Sequence, residues 1–225
     1  MVDHRLPALS PAVTRSSLIA LVATLALAAG CWVVALQQMH GMDMGVATDL
    51  GSFGAFLAVW VPMMAAMMLP GAVPIVMQRA RSMSAARSVP LFVIVYVAVW
   101  AVVGIAVYVL YRPHSTTAAG VLLIDAGGYE LTPLKSRCRR RCQTTSGSGT
   151  FSLACVGSSI GLMVAFIALG FMSVTWMVVT AVVLFAQKLV PAHRAVDVPV
   201  ALAIVALGVL ALTTPSSIPG LLPSM

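Results

Sequence analysis

Charge is what this 225-residue sequence has least of: 8% of its residues are charged, and 6 are acidic. Soluble domains carry about 25% charged residues. Too little polar surface exists here to cover a water-soluble globule. Cysteine is scarce too, and 4 scattered residues are too few for a disulfide scaffold. No nucleophile–base pair, glycine-rich phosphate loop or HExxH motif occurs, so an enzyme is the least supported class. His4, His40, His114 and His193 all fall outside the apolar runs. That argues against a haem held between membrane helices. The net charge of +7 comes without a basic patch interleaved with aromatics, so nucleic acid is set aside as a partner.

What is abundant is apolar: 60% of the chain is hydrophobic. Runs at 18–36, 53–77 and 89–111 are long enough to span, since a bilayer core needs about 20 apolar residues. Pro62, Pro70 and Pro74 interrupt the second run and predict kinks covered by neighbouring helices. Residues 116–132 form a shorter fourth run, with Asp125 near its middle. Residues 151–190 are apolar for too long to be one span, and Gly170 marks a turn between a fifth and a sixth. Residues 195–212 form the last run. Each span must be helical, because lipid offers backbone groups no partners. The expectation is an all-α polytopic transmembrane helix bundle of about seven spans. It divides into an arm at 1–16, a membrane domain at 17–214 and an irregular tail at 215–225.

The charges test this threading. With the N-terminus in the cytoplasm, every Lys and Arg except Arg112 falls on the cytoplasmic side, as the positive-inside rule requires. This predicts a multi-pass protein of the cell inner (plasma) membrane, with the lipid bilayer as its first partner. The first run also resembles a signal peptide, with a weak lipoprotein-like site at Ala28-Ala29-Gly30-Cys31. The run continues through Trp32, Val33 and Val34, which favours an uncleaved span.

The possible ligands divide between two sides. Met39, His40, Met42 and Met44 lie in the outer loop with Asp43 and Asp49, where thioether and imidazole suit Cu(I). The plain alternative is a polar, flexible loop. On the inner side, Cys138 and Cys142 sit within the basic run Lys135 to Arg141. If that run is helical, the i, i+4 spacing puts both sulfurs on one face. Nearby Arg favours the thiolate. Cys155 begins the fifth span on the same side, beyond a Ser/Thr/Gly linker at 144–150. A hydrocarbon core of about 30 Å separates the two groups, so they cannot form one site.

Met63, Met64, Met67 and Met68 form i, i+4 pairs in the second span: a thioether ladder, or flexible packing beside Ala. Asp125 is costly in lipid unless paired. It either serves protons or cations or hydrogen-bonds Tyr96, Tyr108 or Trp100. Gly157 and Gly161 read as a small-xxx-small packing pair. Cys31 reads as a small packed hydrophobe.

From about Trp60 to Pro191 the sequence resembles the bacterial predicted metal-binding integral membrane proteins, some of which are regarded as copper chaperones. The resemblance rests on Ala66-Met67-Met68-Leu69-Pro70, Tyr96 with Trp100, and Gly128-Tyr129-Glu130-Leu131-Thr132-Pro133-Leu134-Lys135 with Cys138 and Cys142. Gly157, Leu162-Met163, Gly170, Met172, Trp176-Met177 and Lys188-Leu189-Val190-Pro191 extend it. It implies copper handling, with Cys138, Cys142, Cys155, Met67 and Met68 as ligands. Family members commonly carry further thiols where this chain has Ser158 and Ser159. Gln187 stands where an acid is usual, and Ser173 where Asn is usual.

The leading expectation is therefore a membrane protein that binds copper ion and delivers it to a partner cuproprotein. The alternatives are a metal-ion transporter lined by Met63–Met68 and Asp125, and a structural or assembly subunit of a membrane complex without metal.

Overall fold

The structure is a computed structural model, and it describes residues 11–39, 50–81, 85–145, 147–190, 194–219 and 221. Its elements among these residues are eight α-helices and a short 3-10 turn, Pro215–Ser217. The helices are α1 (Pro11–Met39), α2 (Phe53–Ala80), α3 (Ala85–Leu110), α4 (Thr116–Glu130), α5 (Pro133–Thr144), α6 (Ser148–Ala168), α7 (Val174–Leu189) and α8 (Arg194–Thr213).

Five of them (α1, α2, α3, α6 and α8) contain stretches long and apolar enough to cross a membrane. With 15 and 16 residues, α4 and α7 rise only about 22–24 Å, short of a hydrocarbon core of about 30 Å.

Pro62, Pro70 and Pro74 all lie inside the single helix α2, whose middle, Met63 to Leu69, is buried. Trp60 donates its indole N–H to the carbonyl of Trp100 on α3 at 3.0 Å. Gly104 allows this approach, since a Cβ there would meet the Trp60 ring at 2.4 Å. α4 packs closely on α8, with Gly120 and Gly208 facing each other: a Cβ on either would lie 2.9 Å from the other's carbonyl oxygen. The turn between α6 and α7 holds Gly170 at φ +100°, a left-handed conformation that favours glycine.

Two ends of the bundle follow from these pairings. At one end, Phe53 and Phe56 of α2 pack on Tyr108 of α3, and Phe171 joins Phe56 and Tyr111. Arg112 sits there and donates to the carbonyls of Val109 and Tyr111. At the other end, Arg79 of α2 lies over Phe92 of α3, and the whole of α5 is gathered with the C-terminus of α7 and the start of α8.

Three expectations change. The linker expected at 144–150 is mostly helical, because α5 runs to Thr144 and α6 begins at Ser148. Asp125 is exposed on α4, which packs on α6 and α8 rather than α3. Tyr96 and Tyr108 donate instead to the carbonyls of Met68 and Gly51. The tail is not wholly irregular: it holds the 3-10 turn, and Ile218 is buried.

Candidate metal centre

The basic run is a helix because Thr132 caps it. Its hydroxyl accepts from the Lys135 amide at 3.3 Å, and Pro133 takes the first turn, where its missing N–H costs nothing. Lys135, Cys138, Arg139 and Cys142 fall at i, i+3, i+4 and i+7, so they share one stripe. Arg137, Arg140 and Arg141 point outward and are exposed.

The two inward cations are fixed by a buried network. Lys135 Nζ donates to Glu130 Oε2 at 2.6 Å and to Asp197 Oδ1 at 2.7 Å. Arg139 Nη1 donates to the same Asp197 oxygen at 2.6 Å, and its Nε to the Gln187 carbonyl at 2.8 Å. Gln187 Nε2 completes the ring by donating to Glu130 Oε2 at 3.0 Å. Two cations thus balance two carboxylates, with Lys135 fully buried. The network ties α5 to the ends of α4, α7 and α8. Glu130, Asp197 and Gln187 were not among the expected site residues. The available signal was two of the few acids standing beside apolar runs, where an unpaired charge is too costly to persist.

With its cations tied down, α5 turns its sulfurs to α6. Cys142 and Cys155 form a disulfide across the seam, with Cα atoms 5.4 Å apart. Cys138 is a free, half-buried thiol. It rests on Gly157, where a Cβ would lie 2.7 Å from its Sγ. Gly161 likewise makes room for Glu130, since a Cβ there would lie 2.6 Å from Oε1. The glycine pair expected to serve packing therefore packs directly against the site. Ser158 donates its hydroxyl to the Cys155 carbonyl at 2.9 Å.

The remaining expected ligands lie elsewhere. Met67 and Met68 are buried in α2 with Met63 and Met64. Lys188 Nζ reaches the Met68 thioether at 3.5 Å and the Tyr96 hydroxyl at 3.3 Å. Met39 is buried at the end of α1. His40, Met42 and Met44 lie outside the described residues. A cleft of about 320 Å³ opens between α2, α5, α6 and α7 and has Cys142, Ser158 and Lys188 in its walls.

A family model described as PpoB2, copper chaperone, matches residues 57–211. The chain belongs to this copper chaperone family. The match runs from α2 into α8, so it contains the buried network, Met67, Met68 and all three sulfurs of the seam. It excludes α1, with Met39 at its end, and also His40, Met42 and Met44. No curated protein and no solved structure matches the chain.

Chemically, thiolate and thioether are the donors that suit Cu(I). Among the described residues, no group of three or more His, Cys, Asp or Glu side chains is placed to hold a metal ion. Two of the three sulfurs of the seam are tied up in the disulfide.

Proposed function

We propose that this chain is a multi-pass plasma-membrane chaperone that takes up Cu(I) on Cys138, Cys142 and Cys155 in their reduced form and delivers it to a partner cuproprotein. The observation that carries this reading is the α5–α6 seam, where three sulfurs from two helices share one interface. Seven spans, counting the short α4 and α7, with the N-terminus in the cytoplasm would put the seam on the cytoplasmic side. The cation asymmetry between the two ends supports that threading. Met39, His40, Met42 and Met44 would then be a second, outer station. The role is non-catalytic, as family membership suggests.

The test is Cu(I) titration of the fully reduced protein against bathocuproine. Replacing all three cysteines by Ser should abolish the tight site. Unchanged stoichiometry in that variant, and in one lacking Met39–Met44, would overturn the reading.

A second reading, transport, draws on the burial of Met63, Met64, Met67 and Met68 in α2. Thioethers facing the bundle interior offer a soft cation a path that lipid-facing ones would not. Copper uptake into proteoliposomes separates the two, because a chaperone alone gives no flux.

A further inference from the structure

We propose that the cleft beside Cys142 is a binding site for a low-molecular-weight thiol bearing carboxylates, which reduces the Cys142–Cys155 disulfide and so arms the seam for copper. The proposal deepens the copper reading and rests on it for the use made of the thiolates.

The first observation is charge. Lys188 lines the cleft from α7, and the polar and aromatic partners of its ammonium among the described residues are the Met68 thioether and the Tyr96 hydroxyl and ring. No carboxylate among the described residues lies within ion-pair range of it. Arg139 also lines the cleft, but its charge is met by Asp197 at 2.6 Å. The cleft therefore holds one cation in excess, in a half-open site where a carboxylate gains more than it would in bulk water. Gln78 adds an amide, and Gln143, whose Nε2 donates to the Val190 carbonyl at 3.0 Å, and Thr144 are exposed at the rim, which opens the cleft to the aqueous side of α5. Its volume of about 320 Å³ lies at the small end of ligand pockets, which suits a short peptide or amino-acid derivative.

The second observation is the disulfide in the wall. Cys142 lines the cleft and is half-buried, whereas Cys155 is fully buried. A thiolate arriving from the cleft meets Cys142 first. Its sulfur bonds to Cys142 Sγ, the Cys142–Cys155 bond breaks, and the electron pair leaves on Cys155 as thiolate. A second thiolate then attacks the small-molecule sulfur of the mixed disulfide and releases the Cys142 thiolate. In sum, two small thiolates become one small disulfide, and one protein disulfide becomes two protein thiolates. Lys188 anchors the carboxylate end of the incoming molecule and attracts it as an anion. A neutral thiol lacks that hold.

The experiment uses the full-length protein in nanodiscs, oxidised with diamide and then freed of oxidant. Peptide mapping should find Cys142 joined to Cys155; no such bond would overturn the proposal. Reduced glutathione is the probe, and its diethyl ester, with the same thiol and capped carboxylates, is the control. Reduction is followed by alkylation mass shift. Glutathione should show saturation and, at equal thiolate concentration, at least a tenfold faster rate than the ester. Lys188→Gln should remove both features, and Lys188→Arg should keep them. S-methylglutathione, which binds but cannot react, should inhibit the wild-type reaction, a readout independent of how any variant folds.

Equal linear rates for the two thiols, or no inhibition by the S-methyl compound, would overturn the proposal. Copper titration of phosphine-reduced protein without any small thiol keeps the two readings apart. Normal copper binding with unsaturable reduction sinks the cleft site alone. Saturable reduction with no copper binding sinks the chaperone reading and leaves the cleft site standing.

Discussion

Lys135 and Asp197 meet at 2.7 Å across 62 residues of sequence, and this contact holds the cysteine-bearing helix against the bundle. Removing the Asp197 charge by Asp197→Asn leaves Lys135 and Arg139 with one carboxylate between them. Breaking one side of a buried ion network costs about 3–5 kcal/mol. The thermal midpoint in detergent should fall accordingly. Asp125→Asn, on an exposed face, should stay within about 0.5 kcal/mol of wild type. Equal midpoints for the two variants would contradict the structural role given to the network.

Gly161 should resist substitution. A Cβ there would crowd Glu130 Oε1 at 2.6 Å and the Ala126 carbonyl at 3.2 Å, and overpacking costs about 1–3 kcal/mol. Gly128, in the same region, has nothing within 4 Å of its would-be Cβ. Gly128→Ala should be neutral or stabilise α4 by up to about 1 kcal/mol. Denaturation of both variants gives the comparison.

With Cys138 as the copper ligand proposed above, Gly157→Ala should act on copper binding as well as on the fold. Its Cβ would press on Cys138 Sγ at 2.7 Å and displace a sulfur donor. Copper affinity of the reduced protein should drop by about tenfold or more, the usual effect of disturbing a ligand's support. Gly149→Ala, which meets nothing within 4 Å, should not change it. Bathocuproine competition on the two variants reads this directly.

Pro113 and Thr144 are both exposed and lie at opposite ends of the bundle. In a chain stripped of native cysteines, Pro113→Cys and Thr144→Cys should react with an impermeant maleimide from opposite compartments. Labelling of both from one side would rule out the two-ended threading and the second station at Met39–Met44.

Local patterns carried much of this structure into view. The one-turn spacing of Cys138 and Cys142 placed them on a shared helix face, and Gly170 marked a turn that requires a positive φ. Long uncharged runs announced five of the helices, since lipid leaves a span no other way to satisfy its backbone. What stayed hidden were contacts between distant residues. Glu130 and Asp197 read as boundary charges until α4 and α8 are packed together, because nothing local to either names Lys135 as a partner. The Cys142–Cys155 pairing depends on how α5 lies against α6, which composition does not encode. Asp125 drew attention as the acid deepest in an apolar run, but helix phase points it away from the bundle, and the charges that matter lie nearer the ends.

The stripe on α5 alternates ammonium, sulfur, guanidinium and sulfur on a single line. Rolling the helix to bring its sulfurs out would unseat both cations from their oxygens at once. In the chaperone role proposed above, a recipient would therefore have to thread its own ligands into a stationary seam.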